Sequence, residues 1–238
     1  MQVVVLRDGA ELAEAAAALF RERVAARPDL AMAVPAGRTP RRMYGHLRDW
    51  QAREPVDCGR MRVFSIDELC PPAPADGYFW RQVRREFLAW AGVPPERCHP
   101  FDVGASDLEA MCDAYEEAIK RAGGLDLVMM GLGPNAHIAS NEPGSDFDSR
   151  TRPVRLTAET VRYILTDEVL QGAVSDRAVT LGIGTILAAR EVVVLVGGRV
   201  KREPLARVLD GSIDPAVPAS ALRLHPRCTL LVDTEAHP

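Results

Sequence analysis

The sequence predicts an α/β fold: a Rossmann-like, mostly parallel sheet with helices on both faces. Three observations carry this. Short apolar runs alternate with segments of helical periodicity along the whole chain. Runs such as 125–130 and 192–196 read as strands of a parallel sheet covered on both sides. No internal repeat, low-complexity tract or linker interrupts the 238 residues, so 1–238 reads as a single domain.

The elements follow in order. Residues 3–6 form a first strand. Residues 9–26 form a helix, with Leu12, Ala15, Ala16, Leu19 and Phe20 at helical spacing. A second strand covers 30–34, and a helix over 40–53 turns Met43, Tyr44 and Leu47 inward. A third strand runs 61–66. The stretch Pro71-Pro72-Ala73-Pro74 must be loop, because proline breaks regular structure. Helices are expected over 78–91 and 106–122, the latter opened by Ser106 as N-cap with Glu109 three residues on. Residues 125–130 form a strand, followed by a long loop over 131–148. Strands at 178–181, 192–196 and 229–232 and a helix over 200–209 complete the chain.

Composition narrows the function. A net charge of −4 and a pI near 5.8 argue against a nucleic-acid coat or a polybasic membrane binder. A small anion needs only two or three local positive groups, so it stays open. No apolar run approaches the ~20 residues of a membrane span. The opening Gln2-Val3-Val4-Val5-Leu6 lacks a signal peptide's basic n-region. The five cysteines are odd in number and none are spaced C-x-x-C, so a reduced, cytoplasmic protein is expected.

In an open α/β sheet, ligands bind beyond the carboxyl ends of the strands, near the point where strand order reverses. Four such ends carry unusual residues. The first is Pro35-Ala36-Gly37-Arg38-Thr39-Pro40, where Gly37 lets backbone approach a ligand and Thr39 caps a helix. It suits an anion, or a plain helix cap. The second is Asp67-Glu68, a carboxylate placed as general base or simply a polar strand end. The third is the loop 131–143, with His137 beside Glu142; histidine moves protons near neutral pH and a carboxylate orients it. Its G-x-G-x-x-A match to a dinucleotide fingerprint is weak, because Asn141, Pro143 and Gly144 break any following helix. The fourth is Gly197-Gly198-Arg199-Val200-Lys201, which puts a lysine at a helix start, a local conflict that an anion would resolve. His46, His99 and His237 have no metal-ligand spacing and read as structural or surface; His225 is open between roles. Tyr78, Phe79 and Trp80 read as core.

These stretches, together with Ser149-Arg150-Thr151-Arg152, Leu181-Gly182-Ile183-Gly184-Thr185 and Pro218-Ala219-Ser220 with His225, resemble the glucosamine-6-phosphate deaminase family over about residues 30–233. Asn141-Glu142-Pro143 and the 149–152 stretch separate it from the related 6-phosphogluconolactonases. The resemblance implies a phosphorylated sugar substrate, no cofactor and no metal; a homo-oligomer is left open. It implies conversion of glucosamine 6-phosphate and water to fructose 6-phosphate and ammonia. Asp67 would move the proton from C2 to C1. His137 would open the pyranose ring, oriented by Glu142 and Asn135. Gly37, Arg38, Thr39 and Lys201 would bind phosphate.

The chain departs from the family loop at Asn135 (family Asp), Ala136 (Gly) and Ser140 (Phe). Uncharged Asn135 supports an imidazolium less, and Ala136 adds a Cβ where the family has none. The family's further phosphate arginine falls near Thr166, with Arg162 as a candidate replacement. The effector-binding positions of regulated members are Asp146, Arg152 and Val154 here, so that site is expected to be lost. The rival readings are a phosphosugar lactonase using His137 as base and a catalytically silent sugar-phosphate binder. A nicotinamide oxidoreductase is a distant fourth.

Overall fold

In the computed structural model, which describes residues 1–71, 77–166 and 175–238, the strands divide between two sheets. The main one holds β1 (Gln2–Leu6), β2 (Ala31–Val34), β3 (Arg62–Ser65), β5 (Cys98–His99), β6 (Leu127–Gly131), β9 (Val192–Val196) and β10 (Cys228–Asp233). Its order is β1-β10-β9-β6-β2-β3-β5, and every pairing is parallel. Alternate residues of each strand feed two cores. On β2 and β6, Ala31, Ala33, Val128 and Met130 face one side, and Met32, Val34, Leu127 and Met129 the other. That two-sided apolar demand is why the strands read as unbroken hydrophobic runs.

The first core is covered by α5 (Leu108–Arg121), α7 (Ile183–Leu187) and α8 (Arg202–Asp210). The second is covered by α1 (Gly9–Ala26), α2 (Arg38–Gln51) and α3 (Phe79–Val83), the last running on through a π-helical turn, Arg84–Leu88, into α4 (Ala89–Ala91). The chain builds outward through β2, β3 and β5, then returns to lay β6 beside β2 and builds the other way. The reversal between β2 and β6 opens a crevice at their carboxyl ends.

A second, three-stranded antiparallel sheet of order β4-β8-β7 overhangs this crevice. It comprises β4 (Asp67–Leu69), β7 (Arg152–Arg155) and β8 (Arg177–Thr180). Its existence corrects two expectations. The strand at 178–181 belongs here, not in the parallel sheet. The third main strand stops at Ser65, and the chain turns at Ile66. Leu181 N–H donates to Ile66 O at 2.8 Å and Ser65 Oγ to Asp67 O at 2.8 Å. Asp67 therefore begins a new strand instead of trailing into a loop.

Two caps also differ. Asp107, not Ser106, caps α5, accepting from Ala110 N–H at 3.0 Å. Helix α2 starts at Arg38 with Gly37 as N-cap, so Thr39 lies inside the first turn and caps nothing. Gly37 needs its φ of 110°, and the side-chain amide of Gln82 on α3 fixes it from outside, bonding both its N–H (3.0 Å) and its C=O (2.8 Å). Helix α6 (Ala158–Leu165) was not anticipated. Pro72, Ala73 and Pro74 of the stretch expected to be loop lie outside the described residues. Among the described residues no helix is long and apolar enough to cross a membrane.

Candidate active site

The crevice at the strand reversal is a cavity lined from three loops, the start of β4 and two helices. Gly37, Arg38 and Thr39 come from the β2–α2 turn, Asp67 from β4, Gly133, His137 and Ser140 from the loop after β6, and Lys201 from the turn after β9. Thr160, Tyr163 and Ile164 reach in from α6, and Phe79 from α3. Six of the eight residues singled out from the sequence thus line one cavity. The other two, Asn135 and Glu142, stand directly behind His137.

That second layer fixes the imidazole. Glu142 is buried, and its Oε1 accepts from Thr157 N–H at 3.0 Å. Its Oε2 takes the Asn135 Nδ2–H at 2.7 Å. This contact settles which way the Asn135 amide points, since a carboxylate oxygen requires the NH2. Asn135 Oδ1 then faces His137, accepting from its backbone N–H at 3.1 Å and lying 2.8 Å from Nδ1. An amide oxygen only accepts, so Nδ1 carries the proton and Nε2 keeps its lone pair. Thr160 Oγ1 lies 3.3 Å from the same Nδ1. Burial pushes the His137 pKa down, with Lys201 adding to the effect and Glu142, 4.0 Å away, opposing it. The ring is neutral, with an unprotonated nitrogen left for the cavity.

The ring lies flat against Gly133, where a Cβ would come within 2.4 Å of three of its atoms. Gly133→Ala is expected to push the imidazole off its partners, cut turnover by about 10²-fold and lower Tm by roughly 2–8 °C. Activity and thermal melts on the same preparation check this. Ala136 takes up a left-handed backbone of the kind that favours glycine: its φ is 68°, and Ala139 has φ 50°. Each left-handed alanine costs about 1–2 kcal/mol. Ala136 is locked there by its N–H to Gly133 O (3.1 Å) and by Ala219 N–H to its own C=O (3.0 Å). The added Cβ is accommodated with the turn intact.

Across the cavity, Asp67 is partly buried, and burial raises its pKa to about 7, with the Ser140 hydrogen bond pulling it down and Glu68 pushing it further up. Glu68, its neighbour, is a different case. It is fully buried, and its carboxylate accepts from the N–H groups of Leu69, Tyr78, Phe79 and Trp80 at 2.9–3.1 Å. It is an anchor for the start of α3, outside the cavity lining.

The positive end gathers at Tyr163. The Lys201 ammonium lies 4.2 Å and the Arg38 guanidinium 4.8 Å from its ring centre. Lys201 is buried, contrary to the exposed position a surface lysine would take, and burial lowers its pKa. Its turn is pinned by Gly198 N–H donating to Asp233 at 2.9 Å. Arg38 also donates to Thr166 Oγ1 at 2.9 Å. Arg162 is exposed and outside the cavity lining, so Arg38 is the second cation there. Sequence reasoning missed Tyr163 and Gln82 altogether. Helix α6 is only eight residues long, and Gln82 acts through a contact 45 positions away. His225 is a core residue, its Nε2 on Ala189 O at 2.9 Å and its Nδ1 accepting from Arg227 N–H. Arg152 is committed to Asn141 Oδ1 and Ser145 Oγ.

Known proteins resemble this chain over nearly its whole length. Residues 7–231 match the family model described as glucosamine-6-phosphate isomerases/6-phosphogluconolactonase. A glucosamine-6-phosphate deaminase of Halothermothrix orenii is 34% identical, covering 99% of this chain and 98% of that protein. One of Bacillus velezensis is 34% identical with the same coverage. The solved structure of a monomeric glucosamine-6-phosphate deaminase superposes with a TM-score of 0.93 at 30% identity, covering 99% of this chain and 98% of that one. A 6-phosphogluconolactonase from Trypanosoma brucei shares the fold at TM-score 0.75 and 24% identity. The chain belongs to the glucosamine-6-phosphate isomerase/6-phosphogluconolactonase family.

Proposed function

We propose that this protein is a sugar-phosphate isomerase/deaminase, converting glucosamine 6-phosphate and water to fructose 6-phosphate and ammonia. The observation that carries the reading is the pairing, in one cavity, of a histidine held with Nε2 unprotonated and a separate carboxylate of raised pKa, with two cations and a helix start grouped at its edge.

Each part has a task. The phosphate sits on the backbone N–H groups of Arg38 and Thr39 at the α2 start, in a turn shaped by Gly37, whose own N–H is held by Gln82, with the Arg38 and Lys201 side chains supplying charge. His137 Nε2 takes the C1 hydroxyl proton and returns it to the ring oxygen, which opens the pyranose to the aldehyde. Only then is the C2 proton acidic. Asp67 removes it, giving an enolamine, and delivers it to C1. The resulting C2 imine takes up water and releases ammonia, leaving the ketose. Ring opening and enolisation need groups on different atoms of the sugar, and His137 and Asp67 supply two.

The neutral His137 would equally serve a lactonase, activating water without any C–H step, and the lactonase-like folds keep that second reading in play. Assay of ammonia and fructose 6-phosphate separates them. Equal release of both supports the deaminase. Release of neither, with turnover of a phosphosugar lactone, overturns it.

A further inference from the structure

Ser140 Oγ donates a 2.7 Å hydrogen bond to Asp67 Oδ2, and both side chains border the cavity. We infer that Ser140 is the positioning residue of the proton-transferring carboxylate, holding Oδ2 so that Oδ1 alone faces the sugar. This inference rests on the reading of Asp67 as the base.

The contact is built into the fold from both sides. Asp67 begins β4, where its Cα register partner on β8 is Thr180. Thr180 is fully buried, and its Oγ1 accepts the backbone N–H of Ser140 at 3.0 Å. The residue opposite Asp67 in the small sheet therefore also holds the loop that carries Ser140. The left-handed Ala139 just before it turns the chain at this point, and Asn141 just after it is tied by its Nδ2 to Ile138 O and Leu181 O at 3.0 and 2.8 Å. Ser140 is itself buried. Its hydroxyl is thus presented to Asp67 by fixed backbone on three sides.

A fixed carboxylate matters for a transfer between adjacent carbons. One oxygen must reach C2 and then C1 without the group rotating away, and a donor on the other oxygen restricts that rotation. The donor also favours the ionised form, opposing the burial that raises the Asp67 pKa. The other titratable and charged groups around Asp67 are Glu68 on its own strand, turned to the α3 start, and Arg38, Lys201 and the neutral His137 across the cavity. Arg152 on β7, beyond Thr180, is engaged with Asn141 and Ser145.

Ser140→Ala removes one oxygen atom and tests this. The wild-type kcat/KM profile should fall on the acid side with a midpoint near 7, because the base must be ionised. In Ser140→Ala the midpoint should move up by about one pH unit. Activity at pH 7 then drops about fivefold, with KM near its original value and most of the loss recovered by pH 9. A ¹³C-carboxylate NMR titration, with the Asp67 signal identified by its loss in Asp67→Asn, should show the same upward shift. An unmoved kinetic midpoint and an unmoved NMR midpoint would reduce Ser140 to packing and overturn the inference. If the wild type makes no fructose 6-phosphate, the functional reading fails on its own. The NMR midpoint in Ser140→Ala still decides whether the serine governs Asp67.

Discussion

Asp67→Asn is expected to lower kcat for fructose 6-phosphate formation by about 10²–10⁴-fold, with KM changing by no more than a few-fold. The asparagine is nearly isosteric and can still meet the Ser140 hydroxyl, now through its amide oxygen. What it lacks is a proton-accepting oxygen for C2. The proposed phosphate contacts lie elsewhere, at the α2 start and Lys201, so affinity should survive. Steady-state kinetics on the variant, with phosphosugar binding measured separately, checks both halves. The same variant discriminates between the two chemistries, since a lactonase that uses His137 to activate water would keep most of its activity without Asp67.

The second large effect falls on stability. Glu68→Ala should lower the unfolding free energy by about 3 kcal/mol, because the buried N–H groups of Leu69 and Trp80 and the half-buried ones of Tyr78 and Phe79 lose their acceptor. For a chain of this size that is a Tm drop of roughly 6–12 °C. Burial raises the Glu68 pKa while the four donors pull it back, so the carboxylate is tolerated only because those donors surround it. The damage should spread to the site by a definite route. Glu68 anchors the start of α3, α3 carries Gln82, and Gln82 holds Gly37 by both its backbone groups. A loosened Gly37 weakens the phosphate turn, so KM should rise alongside the loss of Tm. Calorimetric melting and KM on one preparation test the linkage. A KM increase with an unchanged Tm would show that Glu68 acts on the substrate directly.

The two carboxylates of Asp67-Glu68 mark where sequence reasoning reached its limit. The strand–loop–helix alternation placed both at the carboxyl end of β3, and that much was legible because apolar runs and their ends are local signals. Which of the two faces the cavity was not legible. It depends on β4 pairing with β8, more than a hundred residues later, and a three-residue strand has no pattern of its own. The loop 131–143 shows the same division. His137, Glu142 and Asn135 stood out by type and spacing. The orientation of the Asn135 amide, and through it the proton on Nδ1, needed the Glu142 contact. Lys201 stood out as a lysine at a helix start, whereas the Tyr163 ring it rests on belongs to a helix of only eight residues, brought to the cavity by tertiary packing. The modest net charge of −4 coexists with this local pair of cations, which an average over the chain cannot show.

On the proposed reading, Asp67 carries a proton between neighbouring carbons of a sugar phosphate. The most direct measurement is ¹H and ²H NMR of the fructose 6-phosphate formed from glucosamine 6-phosphate deuterated at C2. Carriage by one carboxylate predicts deuterium at C1 of the product, on one face only, in whatever fraction escapes exchange with water, together with a primary isotope effect on kcat/KM. Ammonia release with deuterium still at C2, or sugar-lactone hydrolysis in place of any ketose, would contradict it.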